Sequence, residues 1–187
     1  MRIISIYNNE KQLIKKAVAG NHDAQKRIYE IHAPKMLGVC RQYVRDLHFA
    51  EDVMVGAFLK VFNKLGTFNY NGSFEGWIRR IMIRESISFV RKQQFVVYDD
   101  ELCEPNHEYV VPSAPEIDVE HIQQLIDGLP EGYKMVFVLH VVEGYTHHEI
   151  ANLLQISEST SKSQLFKARK NLQEKLKRQN IIGYGTR

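Results

Sequence analysis

The chain lacks an apolar run approaching the ~20 residues that span a bilayer, so no membrane-crossing helix is expected. It has little cysteine. Cys40 and Cys103 are the only two, they do not stand at metal-ligand spacing, and they make no disulfide framework. The opening residues MRIISIYNNEKQ carry a short apolar patch but no small-residue cleavage pattern, so no secretory signal is expected. No stretch alternates apolar and polar residues for long enough to argue a sheet; Val96, Val97 and Tyr98 are too few. Catalytic patterns are missing as well: there is no nucleophile–base constellation, no phosphate-cradling glycine loop and no clustered carboxylate pair. His147 and His148 are neighbours on one predicted helix and cannot face a single ligand together, while His140 falls on another helix. These absences leave a cytoplasmic, helical protein with no enzyme activity, no cofactor and no metal.

What is present is ordinary in bulk and uneven in detail. The 187 residues are 44% hydrophobic and 25% charged, which fits one or two small globular domains. The net charge of +3 hides a strong segregation. Residues 98–120 hold eight acids and no Lys or Arg, and also three of the five prolines, Pro105, Pro112 and Pro115. Residues 77–92 hold five bases against Glu85. Residues 146–179 hold seven bases against Glu149, Glu158 and Glu174. Periodicity is lost over 93–117, which reads as an extended, acidic, Pro-containing linker. It divides the chain into two small helical domains, residues 8–92 and 118–179, and an all-α fold is expected. Two basic segments flanking an acidic one point to a polyanionic partner.

Within the first domain, Asn21 is placed to cap a helix from His22, with Asp23 favourable in its first turn. Pro34 is expected to interrupt that helix or to open the next. Phe49, Val53, Ala57, Phe58, Val61, Phe62 and Leu65 recur at helical steps and predict a buried stripe. The turn-rich stretch TFNYNGSF follows, and Ser73 is placed to cap a helix from Phe74 to Lys92.

In the second domain, two helices are separated by Leu129-Pro130. Then Thr146 and Glu149 form a capping-box pattern, so a helix starts at His147. Gln155-Ile156-Ser157 makes a tight turn, and Ser157 is placed to cap a second helix. Ile150, Ala151, Leu154, Leu165, Ala168 and Leu172 face inward. Two short helices at a fixed corner are a helix-turn-helix, in which the first helix crosses the DNA backbone and the second lies in the major groove. Ser159, Thr160, Lys162, Ser163 and Lys167 point outward from the second helix, with donors long enough to reach bases and phosphates.

The stretch LPEGYKMVFVLHVVEGYTHHEIANLLQISESTSKSQLFKARKNLQEKL resembles region four of bacterial RNA polymerase sigma factors, in particular the small two-domain extracytoplasmic-function (ECF) class of the sigma-70 family. The N-terminal half agrees independently. AEDVMVGAFLKVFNKL is similar to region two's polymerase-binding helix, which implies contacts through Glu51, Asp52, Val55, Phe58 and Leu59. GSFEGWIRRIMIRESISFVRK is similar to the promoter-melting helix. The resemblance covers about residues 8–179 and implies a factor that binds core RNA polymerase, reads the duplex minus-thirty-five element with its C-terminal domain, and captures the melted minus-ten element with its N-terminal domain. It also implies an anti-sigma partner. The residues allow single-strand capture on their own terms, which needs aromatic surfaces for unstacked bases and cations for phosphates. Asn69, Tyr70 and Asn71 stand on the loop, and Arg79, Arg80, Arg84 and Arg91 on the helix after it. Phe74 and Trp77 are expected in the core, whereas Phe68 and Tyr70 are open between core and site. In the family the linker threads a basic polymerase channel, where eight acids would mimic RNA.

Several residues depart from the family pattern. Val55-Gly56 stands where Gln-Glu is usual, Gln155 where the turn has Gly, Ser161 where a buried Val is usual, Arg84 for Asn, and Ser88 for Asp. Two other readings remain: a helix-turn-helix regulator that acts without joining the polymerase, and an adaptor that binds only proteins through its helical faces.

Overall fold

The structure is a computed structural model that describes residues 2–97 and 119–178, with side chains from 10–93 and 120–177. The body of the expected linker, with Cys103, the three prolines and its six acids, lies outside the described residues. The chain divides into two compact units, Met1–Phe95 and Val96–Arg187. The described residues form eight α-helices and no strand, as the period analysis expects.

In the first unit α1 spans Arg2–Val18, α2 His22–Tyr43, α3 Leu47–Lys64 and α4 Phe74–Val97, with a 3₁₀ turn at Leu65–Thr67. Capping chemistry sets the boundaries. Asn21 Oδ1 accepts from the Ala24 N–H at 2.8 Å, and Ser73 Oγ accepts from the Gly76 N–H at 3.0 Å. Asp46 caps α3 through the Phe49 N–H at 3.0 Å. Three expectations are corrected. Pro34 neither breaks α2 nor starts a helix: it sits inside a continuous α2 on the exposed face, where water can satisfy the carbonyl one turn earlier. Phe49 is 46% exposed rather than part of the buried stripe, lying beside Phe89 at 5.6 Å. Finally, α4 runs past Lys92 to Val97. The core gathers Ile14, Ile28, Met36, Phe58, Val61 and Met82 from all four helices. Cys40 belongs to it, and burial pushes its thiol up to about 11. A thiol so rarely ionised is a packing group, not a nucleophile.

In the second unit α5 spans Val119–Asp127, α6 Glu131–Phe137, α7 His147–Leu154 and α8 Glu158–Arg178. The end of α6 widens into a π-helical turn over Val138–Val142. Leu129, Val136, Val138, Leu139, Ile150 and Ala168 make the core. Lys134 is also fully buried, with its Nζ 2.7 Å from Asp127 Oδ1. Lys175 of α8 donates to the Gly128 carbonyl at 2.5 Å, and a Cβ at Gly128 would lie 2.7 Å from that ammonium. This ties α8 to the turn between α5 and α6.

Candidate nucleic-acid interface

The corner between α7 and α8 is built from local chemistry. Glu149 Oε2 accepts from the Thr146 N–H at 2.8 Å while Thr146 Oγ1 accepts from the Glu149 N–H at 3.3 Å, which is a complete capping box. Ser157 Oγ accepts from the Thr160 N–H at 3.0 Å and starts α8. Between them Gln155 takes the left-handed conformation, φ 55° and ψ 44°, and the Ile156 N–H returns to the Ala151 carbonyl at 3.1 Å. A residue with a Cβ is strained there by about 1–2 kcal/mol. Gln155→Gly is therefore expected to stabilise the second unit by about 0.5–1 kcal/mol, once the larger unfolded-state entropy of glycine is subtracted. Thermal unfolding of the variant checks this, and an unchanged or lowered midpoint would refute it.

Inside the corner, Ser161 is fully buried where the family pattern has Val, and its hydroxyl is not orphaned. It lies 2.8 Å from His147 Nδ1. The His147 ring stacks on His140 at 4.5 Å and 13°, and His140 Nδ1 donates to the Tyr145 carbonyl at 2.9 Å. Desolvation lowers the His147 pKa, helped by His140, Lys162 and Arg169 and opposed by Glu158. A neutral His147 bridges α7 to α8 through Ser161 without carrying a charge into the corner. His148 adds a second tie across the turn, 2.9 Å from Glu158.

The outer face of α8 carries Ser159, Lys162, Ser163 and Lys167, all exposed, with Thr160 half-buried. The hydroxyls of Ser159 and Thr160 lie 2.8 and 2.7 Å from Ser157 Oγ, so the capping cluster engages them. Ser163 Oγ donates to the Thr160 carbonyl at 3.0 Å and keeps its lone pairs outward. Lys162 and Lys167 are the long donors of this face. Sequence reasoning missed Phe166, which is 69% exposed on it. A signal for it existed: Phe166 is four residues from Lys162 and out of step with the inward series Ser161, Leu165 and Ala168.

In the first unit the loop before α4 is an aromatic platform. Phe68 and Phe74 are buried and 5.2 Å apart, and the half-buried Trp77 stacks on Phe74 at 5.9 Å and 14°. Phe74 is thus in the core, as expected, and Phe68 joins it. Tyr70 is 36% exposed and has a positive φ of 63°, an uncommon state for an aromatic residue. Asn69 Oδ1 accepts from the Asn71 N–H at 3.1 Å, so Asn69 shapes the loop while the exposed Asn71 side chain is presented outward. Along α4, Arg80 and Arg84 are exposed, and Arg79 and Arg91 are half-buried.

On α3, Glu51, Asp52, Val55 and Leu59 are exposed, Leu59 at 62%. Phe58 is not: it is 2% exposed, with its ring 4.8 Å from Tyr29 in an edge arrangement. Its assignment to a partner surface is corrected to the core, because its position on α3 turns it toward α2.

Residues 28–96 match the family model described as sigma-70 region 2, and residues 120–172 match that described as sigma-70, region 4. Together the two matches take in well over half of the chain. The chain belongs to the sigma-70 family. The chain is 28% identical over 180 residues to the ECF RNA polymerase sigma factor SigW of Bacillus subtilis, covering 89% of this chain and 96% of that one. It is 26% identical over 180 residues to the RNA polymerase sigma-H factor of Pseudomonas aeruginosa, covering 89% and 93%. The fold is similar to that of the sigma factor RpoE solved with the anti-sigma factor NepR from Bartonella quintana, with a TM-score of 0.55 and 21% identity over 81% of this chain and 96% of that one. This sigma factor is of the ECF class, a subunit that binds core RNA polymerase and directs promoter-specific initiation of transcription. A regulator acting apart from the polymerase is not favoured, because the first unit is itself region 2. No helix among the described residues is long and apolar enough to cross a membrane.

Proposed function

We propose that the two units divide promoter recognition: a region 2-like domain over about 8–92 captures the melted downstream element, and a region 4-like domain over 118–179 reads the upstream duplex. What carries the reading is Lys162, Ser163 and Lys167 standing exposed on the second helix of a rigidly capped corner. Tyr70, Asn71, Arg80 and Arg84 form the corresponding surface in the first unit, and Glu51, Asp52, Val55 and Leu59 form the face toward core polymerase. The acidic segment over 93–117 serves as a linker that follows a basic channel of the polymerase, its helical start through Val97 continuing α4. The factor works in the cytoplasm and catalyses nothing itself. An anti-sigma partner is part of the proposal, supported by the RpoE–NepR structure and by that of CnrH with the cytosolic domain of CnrY.

Two lysines test the upstream half, with in vitro transcription from genomic promoter fragments as the functional assay. Lys162 lies early in α8, where side chains meet base edges, and Lys167 lies about one turn later, nearer a phosphate. Lys162→Ala is expected to cost ~1–3 kcal/mol on matched duplex and to relax preference at one base pair. Lys167→Ala is expected to weaken matched and mismatched duplexes alike and to make the salt slope shallower by about 0.9. If neither variant changes affinity, preference or slope, this face does not read DNA.

A further inference from the structure

One cation near the base-capture loop does not come from α4. Lys11 is exposed on α1, and its Nζ stands 5.1 Å from the centroid of the Tyr70 ring. Among the described residues it makes no ion pair. Other lysines of this unit differ in this respect: Lys35 is paired with Glu75 and Lys60 with Glu85, each at 2.5 Å. The other ring neighbour of Tyr70 is Phe68, at 4.9 Å and tilted by 55°. Tyr70 therefore packs at a tilt against the core platform and carries an ammonium over its ring. The Asn69–Asn71 turn and the left-handed backbone at Tyr70 hold the ring in that place.

We propose that Lys11 is a swinging cover for the single-strand site: it caps Tyr70 in the free chain and moves to a backbone phosphate when an unstacked base takes the ring face. This rests on the reading of the Phe68–Phe74 loop as the capture site. A base cannot stack on the covered face while the ammonium occupies it, so the two compete. An exposed cation–π contact is weaker than base–aromatic stacking, so the base displaces it. The displaced ammonium stays tethered beside the captured nucleotide on a flexible four-carbon stem, and its nearest anion is then that nucleotide's phosphate. Nearby carboxylates do not hold it back. Glu75 already carries Lys35, and among the described residues no ion pair joins Lys11 to the adjacent Glu10. α1 thus contributes directly to nucleic-acid binding, in a place outside both basic segments of the sequence.

The test uses the full chain assembled with core polymerase and a fork template whose downstream element is a single non-template strand. Binding is titrated against salt for the parent, Lys11→Met, Lys11→Arg, Tyr70→Ala, and Lys11→Met combined with Tyr70→Ala. Lys11→Met keeps the stem and removes the charge. It is expected to flatten the salt slope by about 0.7, so that the parent's advantage shrinks about threefold between about 50 and 200 mM salt. Lys11→Arg should retain the slope. In the Tyr70→Ala background, Lys11→Met should add little, because the phosphate is no longer delivered. If Lys11→Met binds more tightly with an unchanged slope, Lys11 is only a competitor and the phosphate contact is overturned. If Tyr70→Ala weakens binding and Lys11→Met does nothing, the cover is overturned and the capture site stands. If neither has an effect, the capture site itself is misplaced. Thermal unfolding and upstream-duplex binding, both unchanged in Lys11→Met, show that the fold is intact.

Discussion

Asp127→Ala is expected to remove about 3–5 kcal/mol of stability from the second unit, enough to unfold a domain of this size. The cause is the residue it abandons. Lys134 has no exposed surface, and its Nζ is 2.7 Å from Asp127 Oδ1, which also accepts from Gln123 Nε2 at 3.3 Å. Without the carboxylate, an ammonium remains in a fully buried site and loses the ion partner that stood 2.7 Å away. Lys134→Met should cost less, because the carboxylate it leaves keeps some exposure and its hydrogen bond from Gln123, while an apolar side chain suits the fully buried Lys134 site. The double variant should recover most of what Asp127→Ala loses. Asp127 ends α5 and Lys134 lies on α6, and α8 is anchored to the turn between them through Lys175. Loss of the pair should therefore abolish upstream-duplex binding while the first unit still engages core polymerase. A melting midpoint for Asp127→Ala that corresponds to less than about 1 kcal/mol would mean the charge finds another partner.

That pair also shows where sequence reasoning stops. The helix-turn-helix was legible because its boundaries are chemical and local: Thr146 with Glu149, Ser157 with Thr160, and a turn residue forced left-handed. Ser73 and Asn21 were legible for the same reason. Lys134 was not, since a lysine in a helical pattern reads as solvated and its partner lies on a different helix. Pro34 was misjudged because a proline on an exposed helix face costs one hydrogen bond that water replaces, which pattern cannot distinguish from a break. Phe49 was misjudged for a related reason, and so was the second role of Phe58 as a polymerase contact. Both fit the apolar stripe of α3, but only packing against Tyr29 or Phe89 decides which is covered. α1 carried no capping signal, and with it Lys11 went unnoticed. In the site, the residue types were legible and their freedom was not. Thr160 and Ser159 are drawn into the Ser157 cluster, and Asn69 into its own turn.

The capture loop should give the largest functional effect. Replacing Tyr70 and Asn71 together with Ala is expected to reduce open-promoter formation by about one to two orders of magnitude, following the ~1–3 kcal/mol that a stacked base loses when its aromatic partner is removed. Tyr70 is the platform's exposed ring, packed against the buried Phe68, which in turn packs on the buried Phe74. Asn71 is exposed beside it, with only its backbone N–H committed to Asn69. Both residues lie between the 3₁₀ turn after α3 and the Ser73 cap of α4, away from the exposed α3 face that carries Glu51, Asp52, Val55 and Leu59. Affinity for core polymerase should therefore stay unchanged, and so should binding to the upstream duplex. Tyr70→Phe keeps the ring and should keep most of the opening. Permanganate reactivity of thymines in the melted region reads the step directly. A double variant that opens promoters as well as the parent would remove this loop from the site. A double variant that instead loses affinity for core polymerase would place the loop in the polymerase interface, because base stacking contributes nothing before DNA is bound.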